Sequence, residues 1–389
     1  MGKKLKILFI PRWYPNRVDP LNGIFIKRHA LSVALKHQVA VLFVNADPQL
    51  KDVKYEQTFS VEDGISTVRV YYNNSLVNIP VLSSLIKFYR YSMACRMGIK
   101  VVEEKFGTPD ICHIHVLSRT FIPARHFRVP FIVSEQWSGY LPEDGTYKGF
   151  LKKMFTKRAV EKAYAVTTVS QSLKDAMLSH GLKNNYSVIP NVVDVSLFSP
   201  AAVNEKKNKF IFLHVSNLDD RAKNVSGMIK AVKKISQTRN DFEFHIVGDG
   251  VQRAELEALA ESVHLLNKNI FFLGTKNSAE VADLMRKADL FLLFSNYDNM
   301  PCVMVESLAS GLPVIGSAIH GIKEHVKDGR GILVTPGDES ALCEAILKAM
   351  DSIGSYDKIK LNAYAKERFS YESVGEKFDT IYQNAIQKK

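Results

Sequence analysis

The chain has 389 residues, of which 46% are hydrophobic and 24% charged, so it is a globular protein too long for one ordinary core and organised as two domains or slightly more. Those proportions exclude a disordered chain, and no stretch reaches the roughly 18 uncharged apolar residues that a membrane-spanning helix needs. The net charge of +12 lies wholly in the first half: residues 1–194 carry 27 Lys and Arg against 15 Asp and Glu, and residues 195–389 carry 25 against 25.

Such asymmetry fits a first half that faces something anionic, nucleic acid or a phospholipid surface, or one that is simply a well-solvated basic surface. No recognised nucleic-acid-binding motif accompanies the charge, which counts against that class. The opening Met-Gly-Lys-Lys-Leu-Lys runs straight into a strand pattern, so the expectation is a cytoplasmic protein without a signal peptide. The four cysteines, Cys95, Cys112, Cys302 and Cys343, lie far apart and mostly in apolar segments. They read as buried thiols of a reducing compartment rather than as a disulfide framework or a metal knuckle.

In chain order, residues 6–11 form a short buried strand, followed by a long loop over 12–23 and helical spacing from 24 to 36. A strand over 38–44, a polar stretch over 47–64 and a strand over 65–72 come next. Residues 81–105 are helical, with Val81, Leu82, Leu85, Ile86, Tyr89 and Met93 on one side and Lys87, Arg90, Arg96 and Lys100 supplying charge. That helix fits the core or a membrane surface. Apolar strands over 110–115 and 130–134 run into His115 and into Glu135-Gln136-Trp137. Residues 148–162 set Lys152, Lys153, Lys157, Arg158 and Lys162 among Phe150, Leu151, Met154, Phe155 and Val160. Such a segment is either the solvated face of a packed helix or a contact for anionic interfaces. Strands over 165–170 and 187–190 close this half, and a polar linker follows.

The second half restarts the rhythm with a strand over 210–215, a loop over 216–224 and a helix over 225–236. A strand over 242–247 runs into Gly248-Asp249-Gly250, a turn that exposes amides beside a helix N-terminus and is by itself weak evidence for a phosphate site. Further strands at 270–273, 290–294, 313–315 and 331–334 alternate with helices at about 278–288, 303–310 and 338–351, the pattern of a parallel doubly wound sheet. Helices over 357–368 and 371–387 follow, the last expected to tie the domains together.

Within this half, residues 295–317 concentrate the polar chemistry. A buried strand ends in a loop carrying Asp298, a helix starting near Cys302 carries Glu306, Gly311 supplies a C-cap and Pro313 prevents continuation. A helix N-terminus attracts phosphate and a nearby carboxylate accepts from hydroxyls, which suits a nucleotide sugar. A loop aspartate and a structural glutamate explain the same spacing.

Trp13-Tyr14-Pro15 with Gly23-Ile24-Phe25, Glu135-Gln136-Trp137, the run from Ile189 to Asp194 with Phe198, Val247 to Gly250, and above all residues 295–315 resemble the retaining glycosyltransferases of family 4. The resemblance covers nearly the whole chain. It implies an α/β fold of GT-B architecture, two Rossmann-like doubly wound parallel-sheet domains facing across a cleft. Residues 1–194 are then the acceptor-binding domain, 195–208 a linker, 209–368 the nucleotide-sugar domain, and 369–389 a helix packing back toward the first domain.

The resemblance also implies roles. Two family glutamates with seven residues between them hold the donor, and by position Asp298 takes the transferred sugar's hydroxyls and Glu306 the nucleotide ribose. Asp298 departs from the usual glutamate, and its shorter side chain must approach more closely or act through water. The family's arginine and lysine, six positions apart, neutralise the donor diphosphate; here they fall on Asn217 and Lys223, with Arg221 the nearest cation to stand in for Asn217. His115 matches a histidine beside the sugar. The implied catalytic set is His115, Lys223 and Asp298. The donor site adds Gly23, Asn217, Arg221, Gly248, Gly250, Asn299, Met300, Pro301, Val303 and Glu306, and Trp13, Tyr14, Glu135 and Trp137 serve the acceptor. No metal or cofactor is implied beyond the nucleotide sugar. The implied acceptor is a saccharide or lipid-linked saccharide of cell-surface polysaccharide assembly, met at the inner membrane face. A GT-B sugar epimerase or phosphorylase would share the scaffold.

Overall fold

The computed structural model describes residues 3–51, 53–73, 80–118, 120–201 and 208–387, without the side chains of residues 80–82 and 84. The first sheet contains β1 (Lys6–Pro11), β2 (Gln38–Asp47), β3 (Tyr55–Glu62) and β4 (Ile65–Asn73), then β5 (Ile111–His115), β6 (Phe131–Glu135), β7 (Ala165–Thr168) and β8 (Tyr186–Val188). Its order is β3-β4-β2-β1-β5-β6-β7-β8. All pairs are parallel except the edge pair β3–β4.

The second sheet contains β9 (Phe210–Val215), β10 (Phe242–Val247), β11 (Ile270–Gly274), β12 (Leu290–Leu293), β13 (Val314–Ser317) and β14 (Gly331–Val334). Its order, β11-β10-β9-β12-β13-β14, is the 3-2-1-4-5-6 arrangement of a Rossmann sheet. Helices cover both faces of the two sheets, which is why Leu8, Phe9, Ile10, Phe212, Leu213, Phe291 and Leu292 are buried on consecutive positions rather than alternate ones. The chain therefore has the GT-B architecture.

Two expectations need correction. The stretch expected to be polar over 47–64 contains β3, joined to β4 by Asp63 and Gly64, which both take positive φ (51° and 78°) as a two-residue hairpin turn requires. Because β3 is an edge strand, Phe59 and Val61 remain exposed and its hydrophobic signal is weak. In helix Pro80–Lys105 the buried side is Tyr91, Ala94, Cys95, Ile99 and Val102, which dock on β2 and β4, whereas Leu85 and Tyr89 face solvent. Gly98 permits that approach, since a Cβ there would lie 2.4 Å from Leu42 Cδ1. Val81 and Leu82, part of the expected apolar side, fall outside the described side chains, as do residues 202–207 of the expected linker.

Helix Lys358–Phe369 packs on helix Cys302–Ala309 of the second domain, and the chain then crosses back. Helix Tyr371–Gln387 lies along helix Ile24–Ala34, burying Val374, Phe378, Tyr382 and Ala385 among β1 and β2 side chains. Gly375 allows the contact, because a Cβ there would come 2.4 Å from the Ser32 carbonyl oxygen.

Candidate functional site

A cavity of about 370 Å³ opens where the C-terminal ends of β1, β6, β9 and β12 face one another, the crevice in which open α/β sheets bind ligands. Trp13, Gln136 and Trp137 line it from the first domain, and Asn217, Lys223 and Asp298 from the second. Asn299, Met300, Pro301 and Val303 complete the second wall, where helix Cys302–Ala309 begins. The first amides of such a helix have no intrahelical acceptor, so they and the positive end of the helix are directed at the cavity.

The loop that carries Asp298 is held from both sides. Asn299 Nδ2 donates to the Gln136 carbonyl across the cleft at 2.8 Å, and Asn191 Nδ2 donates to the Met300 carbonyl at 2.8 Å. The Gly321 amide donates to the Asn299 carbonyl at 2.8 Å, and a Cβ at position 321 would sit 2.1 Å from that oxygen. Asp298 accordingly meets Lys223, with Nζ 2.5 Å from Oδ2 and both side chains largely shielded. Lys223 ends the short helix Asp220–Lys223, where Asn224 turns left-handed (φ 50°) and its side chain caps the next helix through the Gly227 amide.

Glu306 does not line this cavity. It is buried, and its Oε1 receives Arg28 Nη1 at 2.6 Å from helix Ile24–Ala34 of the first domain. Burial works against the Arg28 charge, but Glu306 outweighs it and holds the guanidinium firmly protonated. Arg28 also lies 6.0 Å above the Phe198 ring, while Glu306 Oε2 accepts no hydrogen bond among the described residues.

Several other expected site residues stand back from the cavity wall. Tyr14 is fully buried against Phe43 and the Arg69 guanidinium, so it cannot present its ring to an acceptor. Glu135 is also buried. Its oxygens accept from the amides of Leu117, Gln136 and Trp137 and from the Tyr140 hydroxyl at 3.0 to 3.4 Å, an arrangement that shapes the turn carrying Trp137. Burial pushes its carboxyl up to about 7, with the three amides pulling the other way. His115 stacks on Phe9 at 4.6 Å and lies 4.1 Å from His113, buried beneath the cavity. Burial holds its pKa well below the usual histidine value, with His113 and His29 adding to the effect.

The glycines act behind the wall. Gly23 has φ 65° and lies under Trp13, whose carbonyl carbon would be 2.4 Å from a Cβ. Gly248 and Gly250 back the loop that carries Asn217: a Cβ at 248 would meet the Ser216 carbonyl at 1.8 Å, and one at 250 the Leu218 amide at 2.8 Å. The exposed Arg221 donates to the Tyr297 hydroxyl at 2.9 and 3.1 Å and does not join Asn217 in the lining.

Sequence reasoning did not find Arg28 or His29, and it quoted Gln136 and Asn191 only as parts of motifs, without a role in the site. Gln136 is placed by its Nε2, 3.1 Å from His29 Nδ1, while His29 Nε2 lies 3.0 Å from the Pro190 carbonyl. A signal for Arg28 was present, since it shares a face with Phe25 and Ser32 of its helix, and a charge on a buried face requires a partner. Among the described residues, no group of three His, Cys, Asp or Glu is placed to hold a metal ion.

Two family descriptions match the chain, Glycosyltransferase Family 4 over residues 31–197 and Glycosyl transferases group 1 over residues 196–366. The N-acetyl-alpha-D-glucosaminyl L-malate synthase of Bacillus anthracis is 26% identical over 242 residues, 58% of this chain and 61% of that protein. The putative teichuronic acid biosynthesis glycosyltransferase TuaC of Bacillus subtilis is 24% identical over 88% of this chain and 89% of its own length. Anabaena HepE, solved in complex with UDP and glucose, superposes with a TM-score of 0.71 at 17% identity over 98% of this chain and 100% of its own.

Proposed function

Because the chain belongs to the glycosyltransferases of family 4, whose two descriptions together span residues 31–366, we propose that it moves a sugar from a nucleoside-diphosphate donor to a saccharide hydroxyl with retention of configuration. The observation that carries this reading is the meeting of Lys223 and Asp298 in the cavity, opposite the first amides of helix Cys302–Ala309. A cation and helix amides suit a diphosphate, and a carboxylate beside them suits sugar hydroxyls. The UDP and glucose in the HepE complex fit a sugar nucleotide as donor, and the likeness to a putative teichuronic acid biosynthesis glycosyltransferase fits a cell-surface polysaccharide or other glycoconjugate as product.

In this reaction the acceptor oxygen bonds to the anomeric carbon as the bond from that carbon to the diphosphate oxygen breaks. The diphosphate leaves with the bonding electrons, and the acceptor's hydroxyl proton passes to the departing oxygen. Lys223 and the helix amides stabilise the charge that develops there and Asp298 orients the sugar, while Glu306, which stands behind the cavity wall beside Arg28, turns Oε2 to the ribose hydroxyls only once the donor has parted that wall. Trp13 and Trp137 line the cavity on the side the acceptor enters. Incubation with labelled nucleotide sugar should release nucleoside diphosphate and glycosylate the acceptor with the donor's anomeric configuration. Donor interconversion without acceptor, or cleavage that requires phosphate, would overturn the reading.

We further propose that the acceptor is met at an anionic lipid surface. Helix Phe150–Lys162 leaves Phe150, Leu151 and Phe155 at 80%, 64% and 60% exposure, with Lys153, Lys157 and Lys162 exposed around them. Lys152 of the same helix sits 3.8 Å above the Trp137 ring at the cavity. The protein should float with vesicles rich in anionic lipid, and Phe150→Ser with Phe155→Ser should abolish flotation; equal flotation with neutral vesicles would refute the proposal.

A further inference from the structure

A second cavity, of about 620 Å³, lies between the domains and shares Val169 with the first. Gln171, Val188 and Pro190 also reach it from the first domain. The rest of its wall comes from the end of helix His320–His325 and the residues after it, and from helices Lys358–Phe369 and Tyr371–Gln387. Its charges are four cations, Lys327, Arg330, Arg368 and Lys377, and two carboxylates, Glu324 and Asp328.

Both carboxylates are already engaged. Asp328 pairs with Arg330 at 2.9 Å, and Glu324 accepts from the Gln171 and Ser172 amides at 3.1 Å each. Among the described residues, none of Lys327, Arg368 or Lys377 has a carboxylate within 4.0 Å. His325 gives no relief: its Nδ1 lies 2.9 Å from the Tyr364 hydroxyl, and burial together with Arg368, Arg330, Lys327 and Lys377 pushes its pKa down to about 4. Lys377 reaches solvent, yet the concave wall shields it in part and its pKa falls, with Arg368 adding to the effect and Glu367 opposing it.

The arginines are also positioned in advance. Arg330 and Arg368 lie 4.1 and 5.0 Å from the Tyr364 ring centre, and Arg330 Nε donates to the His325 carbonyl at 2.7 Å. Like charges lining a concave space raise one another's energy, and an anion entering it removes that cost while meeting several donors at once.

We propose that this cavity is a phosphate-binding site, distinct from the nucleotide cavity. A phosphate monoester or diphosphate there bridges the domains, held by Lys327 and Arg368 from the second and by Lys377 from the helix that packs on the first. The phosphate belongs either to the acceptor or to a free phosphorylated metabolite. Neither the site nor the binding titration depends on the reaction proposed above; only the assignment of the phosphate to acceptor or metabolite rests on that reading.

Calorimetric titration of the full chain with pyrophosphate tests the site. The wild type should bind with strongly salt-dependent affinity, Lys327→Ala with Arg368→Ala should weaken binding at least tenfold, and Lys223→Ala should leave that binding event in place. Lys377→Met should weaken binding independently, and since all three side chains reach solvent, the thermal melts of the variants should match the wild type. Absence of binding to the wild type, or unchanged binding in both the double variant and Lys377→Met, overturns the proposal. A rise in acceptor KM with unchanged donor KM in the double variant assigns the phosphate to the acceptor. Competition by hexose phosphates with acceptor KM unchanged assigns it to a metabolite.

Discussion

Lys223→Ala should lower kcat by about 10²–10³, or roughly 2.7–4 kcal/mol of transition-state stabilisation, the usual cost of removing one donor aimed at developing negative charge. The lysine is the one cation lining the nucleotide cavity among the described residues, because position 217 is an asparagine and Arg221 is turned to Tyr297. Without it, the helix amides alone face the leaving diphosphate. Lys223 also holds Asp298 at 2.5 Å, so its loss releases the group proposed to orient the sugar.

A double-mutant cycle with Asp298→Asn separates these effects. If Lys223 serves only to position Asp298, the double variant should turn over no more slowly than Asp298→Asn. If Lys223 acts on the diphosphate, the second substitution should cost a further tenfold or more. Turnover within threefold of wild type in Lys223→Ala would refute the assignment. The fold should tolerate the change, since this ion pair lies at a cavity that water reaches.

The two βα series were legible because parallel strands covered on both faces become continuous apolar runs, and ranges such as 210–215 and 331–334 coincide with β9 and β14. The hairpin strand β3 escaped because half of its side chains face water, although Asp63-Gly64 was a turn signal in plain view. At the site, the loop carrying Asp298 was legible because loops after buried strands emerge at one sheet edge, whereas Lys223 was singled out only by the family spacing. His115, the last residue of its strand, stands back from the cavity wall, stacked on Phe9 of the neighbouring strand and beside His29 of helix Ile24–Ala34, so a strand-end position alone does not put a side chain in the lining. Arg28 and Glu306 lie 278 positions apart in sequence, so their pairing depends on how the domains close.

That pairing gives the other large expected effect. Glu306→Ala should destabilise the closed protein by about 3–5 kcal/mol, because it leaves Arg28 buried without a counter-charge. Turnover should fall with it, through weaker donor binding as Glu306 Oε2 is lost to the ribose. Stability and binding can be separated by replacing both partners. Arg28→Met with Glu306→Met fills similar volume without charge, and replacing buried ion pairs this way is often neutral or stabilising. Its melting temperature should return to or above that of the wild type, while donor KM stays raised. Recovery of donor affinity in the double variant would mean that Glu306 is a structural partner of Arg28 and that the ribose is held elsewhere. Wild-type stability in Glu306→Ala would instead mean that the domains open readily enough for water to reach Arg28, and that the contact between helix Ile24–Ala34 and helix Cys302–Ala309 contributes little to keeping the cleft closed.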